Sequence, residues 1–270
     1  MIVKIKNTAF QIVIPDGYKE IGKKEIPDSH KLPDGSSVYQ KLTPNANCSI
    51  LAYKVDEDRC MPFDNKDAII DGIHANLKDN QGLIAVENGT TARGFRYVYT
   101  IVKIVDTEDI PGGVTYVLRI NLANEDEYVQ LHCDFIEAGN TGMRDSFGYC
   151  LAMQAKLVSL SSEDGTVSGW DEDPYDPDFD RGIRMNLSER EGLDGTFPDH
   201  PLSQAREFVH AVIHDELMRP ADDSDADSKN PKEENSAAES PEQPADNSKL
   251  FREILSKDVT RKFVPEKVII

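Results

Sequence analysis

Between residues 83 and 137 the sequence places four segments of strand character one after another, with only short turns between them. Each turn has a recognisable signal: Asn88-Gly89, then Pro111-Gly112-Gly113, then Asn124-Glu125-Asp126. Connections this short can join antiparallel neighbours, but they cannot make the crossover that parallel strands need. The sequence therefore predicts an antiparallel β-meander, and any fold for this chain has to be built around it.

The segments on either side of the meander add strands and two helices. Period-two alternation predicts strands at residues 10–14, 38–42 and 48–55. Residues 64–80 change to a helical period, and Gly82 follows as a stop signal. A sheet must cover an apolar face, so both helices are expected to pack on it, which gives an α+β domain over residues 1–160. The stripe predicted for the second helix consists of Met143, Phe147, Cys150, Leu151, Leu157 and Val158.

Beyond residue 160 the pattern changes three times. Residues 161–219 are expected to form an extended segment and a helix that pack on the domain, with a capping box at Ser188 and Glu191 and a helix from Leu202 to Leu217. Residues 220–248 are rich in acidic and small residues and predict a disordered acidic linker. Residues 249–270 turn apolar and basic again and predict a short C-terminal amphipathic segment.

The charge of the chain limits its partners. A formal net charge of -19 and a pI near 4.7 speak against nucleic-acid binding and against an anionic membrane surface. No apolar run is long enough to predict a membrane-spanning helix, and the N-terminus lacks the pattern of a signal peptide. The four cysteines form no metal or disulfide framework, which fits a reducing compartment. The expectation is a cytoplasmic protein whose partner is another protein, with a basic or an apolar segment.

The order of the elements resembles a known fold group over about residues 1–160. The opening strand and turn, Phe10-Gln11-Ile12-Val13-Ile14-Pro15-Asp16-Gly17-Tyr18, is similar to the start of the PsbP-like proteins, the group that includes DcrB-type proteins and the Ran-binding Mog proteins. The resemblance implies an antiparallel sheet packed with helices. It also implies a binding or accessory role rather than catalysis.

Two clusters suggest metal binding. Asp176, Asp178 and Asp180 alternate as carboxylates do in a Ca²⁺ loop, but Leu187 stands where a bidentate Glu belongs, and an acidic loop with Asx-turns explains the pattern as well. His210 and His214 lie four residues apart on a predicted helix, as transition-metal pairs do, but no third ligand is evident. Neither cluster predicts a metal, and the expectation is that the protein has no cofactor.

No residue pattern in the sequence predicts catalytic chemistry. The sequence contains no Gly-x-Ser-x-Gly elbow and no glycine-rich phosphate loop. His132 and Cys133 are adjacent, but strand alternation sends them to opposite faces. A hydrolase-like enzyme or a calcium-dependent module remains an alternative, and the sequence favours a non-enzymatic role.

The interpretation is a cytosolic protein-binding or adaptor protein. Its candidate partner-binding residues are Leu250, Phe251, Ile254 and Leu255, which cluster at helical spacing behind the acidic linker. A second form of this hypothesis is a secretion-effector chaperone or an immunity-type protein, which would cover a segment of its partner. The C-terminal cluster could dock on a partner or back on its own domain.

Overall fold

The computed structural model describes residues 1–22, 32–33, 35–105, 113–125, 127–214 and 217–220. The predictions for the linker at residues 221–248 and for the C-terminal cluster lie outside these residues. Three α-helices occur in the described part: α1 Lys66–Asn76, α2 Met143–Gln154 and α3 Pro201–Ile213. The strands are β1 Ile2–Lys4, β2 Phe10–Val13, β3 Lys19–Ile21, β4 Ser37–Leu42, β5 Ala46–Lys54, β6 Gln81–Thr90, β7 Arg96–Val105, β8 Val114–Asn124, β9 Glu127–Glu137, β10 Ser159–Leu160, β11 Val167–Ser168, β12 Asp171–Glu172, β13 Met185–Asn186 and β14 Met218–Pro220.

A seven-stranded antiparallel sheet organises the molecule, and the fold is α+β. Its strand order is β3-β4-β5-β9-β8-β7-β6, so the meander from β6 to β9 runs between neighbours throughout. Strand β5 pairs with β9, the last strand of the meander, so β3, β4 and β5 extend the sheet on that side. The alternation of the sequence sets the register, because a slip of one residue would turn each buried side chain to the other face.

The first turn of the meander is not where the sequence predicts it. Strand β6 continues through Asn88 and Gly89, and the chain reverses at residues 91–95 instead. Asn88 donates a hydrogen bond from Nδ2 to the Phe63 carbonyl at 2.6 Å, which uses its side chain in packing rather than in a turn. A Cβ on Gly89 would lie 2.8 Å from the Tyr97 hydroxyl, so a glycine at this position allows Tyr97 of β7 to lie close to the backbone of β6.

The main core lies on one face of the sheet. Alternate residues of the central strands point into it, among them Ile50 of β5, Leu118 of β8 and Leu131 of β9, all fully buried. Helix α3 and a three-stranded ribbon in the order β1-β2-β14 cover this face. Burying each such side chain contributes roughly 1.5–3 kcal/mol to stability.

Helix α1 covers part of the opposite face, beside β6. The Asn65 side chain caps its N-terminus by accepting from the Ala68 N–H at 3.0 Å. Ile69 and Ile70 pack on Leu83 and Val86 of β6. The helix ends with Leu77 as its C-cap, so it is shorter than the predicted 64–80, and Gly82 lies in β6.

Helix α3 is also shorter than predicted. It starts at Pro201, with His200 as the N-cap, and ends at Ile213 rather than at Leu217. The chain after it forms β14, which pairs with β2. Helical periodicity therefore overestimates the helix, because it carries no information about the pairing of β14 with the distant β2.

The segment between α2 and α3 is extended, with short strand pairs and two 3-10 turns at Leu187–Glu189 and Glu191–Leu193. A capping box is present, but Asn186 and Glu189 form it instead of Ser188 and Glu191. Among the described helices, none is long and apolar enough to cross a membrane.

Candidate functional site

Helix α2 begins just after the last strand of the sheet. Gly142, at φ 73°, occupies the left-handed region that allows the sharp entry into the helix. Its N–H donates to Glu137 Oε1 at 2.8 Å, and Glu137 is the last residue of β9. Burial raises the pKa of the Glu137 carboxyl group. The start of α2 is therefore tied directly to the end of the central strand.

The inner side of α2 is made of small residues and one arginine. Its buried residues are Arg144, Gly148 and Ala152. A Cβ on Gly148 would lie 2.6 Å from the Cβ of Ser188, which leaves no room for a larger residue. The backbone of α2 therefore lies close to the 3-10 turn at Leu187–Glu189, and α2 makes most of its contacts with this turn. The prediction that the second helix packs directly on the sheet is wrong for this reason.

Arg144 anchors α2 from within. Only 1% of the residue is exposed. Its guanidinium donates to the Ser188 carbonyl at 2.7 Å, to Ser203 Oγ at 2.7 Å, to the Arg190 carbonyl at 3.1 Å and to Asp194 Oδ1 at 2.8 Å. The planar fork of an arginine can satisfy several acceptors at once, which a lysine cannot. One side chain thus connects α2, both 3-10 turns and the first turn of α3.

A second buried charge cluster stabilises the same segment from the side of the sheet. Glu189 accepts from Lys103 Nζ at 2.7 Å, from the Tyr116 hydroxyl at 3.0 Å and from the Asn186 N–H at 2.8 Å. Burial and the adjacent Glu189 carboxylate raise the pKa of Tyr116 well above its usual value, so it remains a hydroxyl donor. Lys103 and Tyr116 both donate to Glu189, so the buried carboxylate has its hydrogen-bond partners.

His200 lies at the N-terminus of α3, 3.9 Å from Glu137 at the end of β9. Its Nδ1 accepts from the Leu202 N–H at 3.2 Å, which caps α3. Burial, together with the cations of Arg144 and Arg206, lowers the pKa of His200 to about 3. The imidazole is therefore neutral at physiological pH, as an acceptor at this position must be.

The outer side of α2 carries its large apolar residues. Met143 is 59% exposed, Phe147 44% and Met153 39%. Cys150 is exposed between them, and the other exposed positions of the helix are Ser146 and Gln154. None of these six residues is charged, although 29% of the chain is. We call this surface the α2 face: Met143, Ser146, Phe147, Cys150, Met153 and Gln154.

The ring of Phe197 extends the α2 face beyond the helix. It makes an edge-to-face contact with Phe147, with the ring centroids 5.4 Å apart. Exposed apolar residues that occur singly need no explanation, but a contiguous stripe of them marks an interaction surface. The residues of the α2 face recur at positions i, i+3 or i+4, i+7 and i+10, so they form one ridge along the helix.

The predicted stripe of the second helix is divided between two sides. Met143, Phe147 and Cys150 are expected to face the sheet and are exposed instead, whereas Leu151 and Leu157 pack on Ala155 and Leu193, and Val158 is buried. The signal that favours the true orientation is Gly148 and Ala152, four residues apart, with Arg144 four residues earlier on the same side. Small residues at this spacing allow close backbone packing, which compensates for the loss of large apolar contacts on that side.

The Asp-rich segment packs through its own hydrogen bonds. The Asp178 N–H donates to Asp176 Oδ1 at 3.1 Å, which is an Asx-turn. Asp173 holds the segment to α1, because its Oδ2 lies 3.0 Å from His74 Nε2. The ring of Phe179 stacks on His74 with centroids 3.9 Å apart.

The two histidines of the predicted transition-metal pair lie next to each other. The rings of His210 and His214 lie 4.1 Å apart at the C-terminal end of α3. Within the described ranges no three His, Cys, Asp or Glu side chains group as a metal site would require, and this applies to Asp176, Asp178 and Asp180 as well. The candidates Leu250, Phe251, Ile254 and Leu255 lie outside the described residues.

Comparison with known proteins gives structural similarity only. No protein-family model matches the sequence, and no curated protein matches it. A mutant of the protein Mog1 is similar in structure, with 11% identity, a TM-score of 0.38 and coverage of 83% of this chain and 97% of that protein. The Ran-binding protein Mog1p of Saccharomyces cerevisiae has 13% identity, a TM-score of 0.37 and coverage of 83% and 96%. A Pseudomonas aeruginosa protein of unknown function, described as a putative regulator, has 12% identity, a TM-score of 0.30 and coverage of 54% and 99%.

Proposed function

We propose that this chain is a protein-binding module and that the α2 face is its binding surface. One observation carries the proposal: α2 buries an arginine and small residues and exposes Met143, Phe147 and Met153. Exposing this ridge is unfavourable for the isolated protein, because apolar area in water costs about 25 cal/mol per Å². A partner that covers the ridge removes this cost.

The partner that fits is a protein with an amphipathic helix. The ridge from Met143 to Met153 is straight and about 15 Å long, from a helical rise of roughly 1.5 Å per residue. A second helix with its own apolar stripe can lie along such a ridge. Because the α2 face carries no charge, ion pairs cannot set the register, and the shapes of Phe147 and the two methionines must do so. Methionine side chains adapt to different partner surfaces, so more than one related partner can fit.

The anchoring of α2 supports this role. The Arg144 hydrogen bonds and the close contact at Gly148 hold the helix in place before a partner arrives. A preorganised surface binds more tightly because less conformational entropy is lost on association. An adaptor and a chaperone or immunity-type protein would both use such a surface. The identity of the partner distinguishes them.

Exposed positions of the ridge allow a direct test. Partners captured by the wild-type chain from its native host would be identified by mass spectrometry, purified and titrated one by one. The variant Met143→Ser/Phe147→Ser should weaken binding at least tenfold, because each lost anchor of an interface typically costs about 1–2 kcal/mol or more. Leu42→Ser is the matched control, since Leu42 is 67% exposed at the end of β4, and it should bind like the wild type.

Thermal melting of all three proteins confirms that the fold is intact. Equal affinity of the wild type and the α2-face variant for every purified partner would contradict the proposal. A capture that yields no partner sensitive to the α2-face variant would contradict it as well.

A further inference from the structure

A groove runs along α3 on the side facing β6 and β7. Its volume is 480 Å³. Its floor is apolar and consists of Ala85 and Ile101 from the sheet and Val209 and Ile213 from α3. The hydroxyl-bearing ring of Tyr99 also lines it. This groove is distinct from the α2 face, so its role is independent of the proposed function.

The rim of the groove is acidic. Glu191 and Glu207 line it and both are exposed. The cation in its wall is Arg206, which donates to Asp194 at 3.0 and 3.2 Å and to the Glu189 carbonyl at 2.6 Å. Asp194 also pairs with the buried Arg144, so the two arginines exceed it by one positive charge, and Glu191 and Glu207 leave the rim net negative. A segment with apolar side chains next to basic ones complements such a groove.

The C-terminal segment of this chain has that chemistry. Residues 249–270 contain six Lys and Arg against three Asp and Glu, a net charge of +3 in a chain of -19. Leu250, Phe251, Ile254 and Leu255 alternate there with Lys249, Arg252 and Lys257. The intervening residues 221–248 carry nine acidic residues against two lysines, so they are repelled by the rim that attracts the segment behind them.

The chain leaves its last described strand close to the groove. Pro220 of β14 pairs with Phe10 of β2, and the Phe10 ring lies 5.1 Å from that of Phe95. Phe95 directly precedes β7, the strand that supplies Tyr99 and Ile101 to the groove. Four to six residues of strand span about 13–20 Å. An unstructured chain as long as residues 221–248 has a root-mean-square extension of about 30 Å, which covers this distance.

We propose that residues 250–255 dock in this groove within the same chain. The apolar side chains cover the half-buried Ala85, Tyr99 and Ile213, above the buried Ile101 and Val209, and Arg252 and the flanking lysines approach Glu191 and Glu207. Tethering by a linker of this length gives an effective concentration in the millimolar range, so a contact that is weak between separate molecules is populated within one chain. The docked segment then competes with any external protein segment of the same chemistry.

A spin label in the tail of the full chain tests the docking. Ser256→Cys is labelled in a background of Cys60→Ser and Cys150→Ser, which leaves the buried Cys48 and Cys133 unlabelled. The methyl signals of Ile101 and Ile213 should lose intensity, whereas that of Ile70, on the opposite face of the sheet, should not. Raising the salt concentration should restore part of the intensity, because it screens the exposed charges.

Two variants of the labelled chain identify the contact. Phe251→Asp/Leu255→Asp should remove the intensity loss. Glu191→Lys/Glu207→Lys should reduce it severalfold, and the matched change Glu163→Lys, on an exposed acidic residue elsewhere, should not. Undiminished Ile101 and Ile213 signals would overturn the proposal. So would a loss centred on the Met143 and Met153 methyls, which would place the segment on the α2 face. A loss seen only when spin-labelled and isotope-labelled chains are mixed would overturn docking within one chain and assign the groove to a second copy.

Discussion

Helices α2 and α3 are almost equal in length, and they use their apolar residues in opposite ways. Helix α3 buries Leu202, Ala205, Val209 and Val212 against the main core. Helix α2 buries Arg144, Gly148 and Ala152 and exposes three of its large apolar residues. Helix α3 is held by the hydrophobic effect, and α2 by hydrogen bonds and close backbone packing.

The difference shows how a helix can be fixed in place and still offer an apolar surface. Each hydrogen bond that involves a charged group contributes about 1.5–3 kcal/mol, and Arg144 makes four. This anchoring frees Met143 and Phe147 from the core. In α3 the corresponding side chains are needed for stability and cannot serve a partner.

Replacing Arg144 is the strongest test of the claim that hydrogen bonds hold α2 in place. Arg144→Ala should lower the free energy of unfolding by about 3–5 kcal/mol, because it leaves the carbonyls of Ser188 and Arg190 without this donor in a buried site and removes one of the two arginine partners of Asp194. Urea denaturation measures the loss. Arg59→Ala, an exposed arginine on a 3-10 turn, is the control and should stay within about 0.5 kcal/mol of the wild type. A similarly small effect for Arg144→Ala would show that α2 is held by something other than its arginine.

A pair of aspartate substitutions tests whether α2 and α3 differ in the burial of their apolar residues. Val209 of α3 is 4% exposed, so Val209→Asp should cost about 3 kcal/mol by placing a charge at a buried apolar site. Phe147→Asp makes the same kind of change on α2, where the side chain is 44% exposed, and should cost less than about 1 kcal/mol. Thermal melting of both variants gives the two values. Equal losses would mean that both helices bury their apolar stripe and would remove the basis of the α2 face.

The sequence predicts the sheet well because the signals for its strands and connections are local in sequence. Alternation sets the strands of the meander, and short connections make their order antiparallel. The turn at Asn88-Gly89 is wrong because both residues are held in β6, Asn88 by its hydrogen bond to the Phe63 carbonyl and Gly89 by its close contact with Tyr97 of β7. The end of α3 is wrong because the chain leaves the helix after Ile213 and pairs β14 with β2, a strand distant in sequence.

The candidate site is harder to predict because it depends on partners far along the chain. Arg144 finds its acceptors at Ser188, Arg190, Asp194 and Ser203, between 44 and 59 residues away. A helical stripe shows that a helix has an apolar side, but not whether that side meets the core or the solvent. Only the small residues at Gly148 and Ala152 carry local information about the orientation of α2.

His200, at the N-terminus of α3, gives a smaller effect than the buried Arg144 and Val209. Its pKa is about 3 in the folded chain because of burial and the cations of Arg144 and Arg206, against 6.5 as the ordinary value. The unfolded chain therefore binds a proton on this histidine below pH 6.5 that the folded chain does not bind. Stability from His200 is consequently fully present above pH 6.5 and is lost as the pH falls from 6.5 towards 3.

The variant His200→Asn separates this effect from the other titrating groups. Asparagine keeps an acceptor for the Leu202 N–H at the N-cap but does not titrate. The wild type should lose roughly 2 kcal/mol more than the variant between about pH 6.5 and pH 4.5, since one pKa unit corresponds to about 1.4 kcal/mol. Glu137, whose pKa is raised by burial, acts in the opposite direction and lies 3.9 Å from His200 Nε2, so a second pair of curves in a Glu137→Gln background removes its contribution from the difference. Urea denaturation at a series of pH values measures the two curves. Parallel curves would show that His200 takes up its proton equally in the folded and unfolded states, and the N-cap hydrogen bond from the Leu202 N–H would then be lost on protonation.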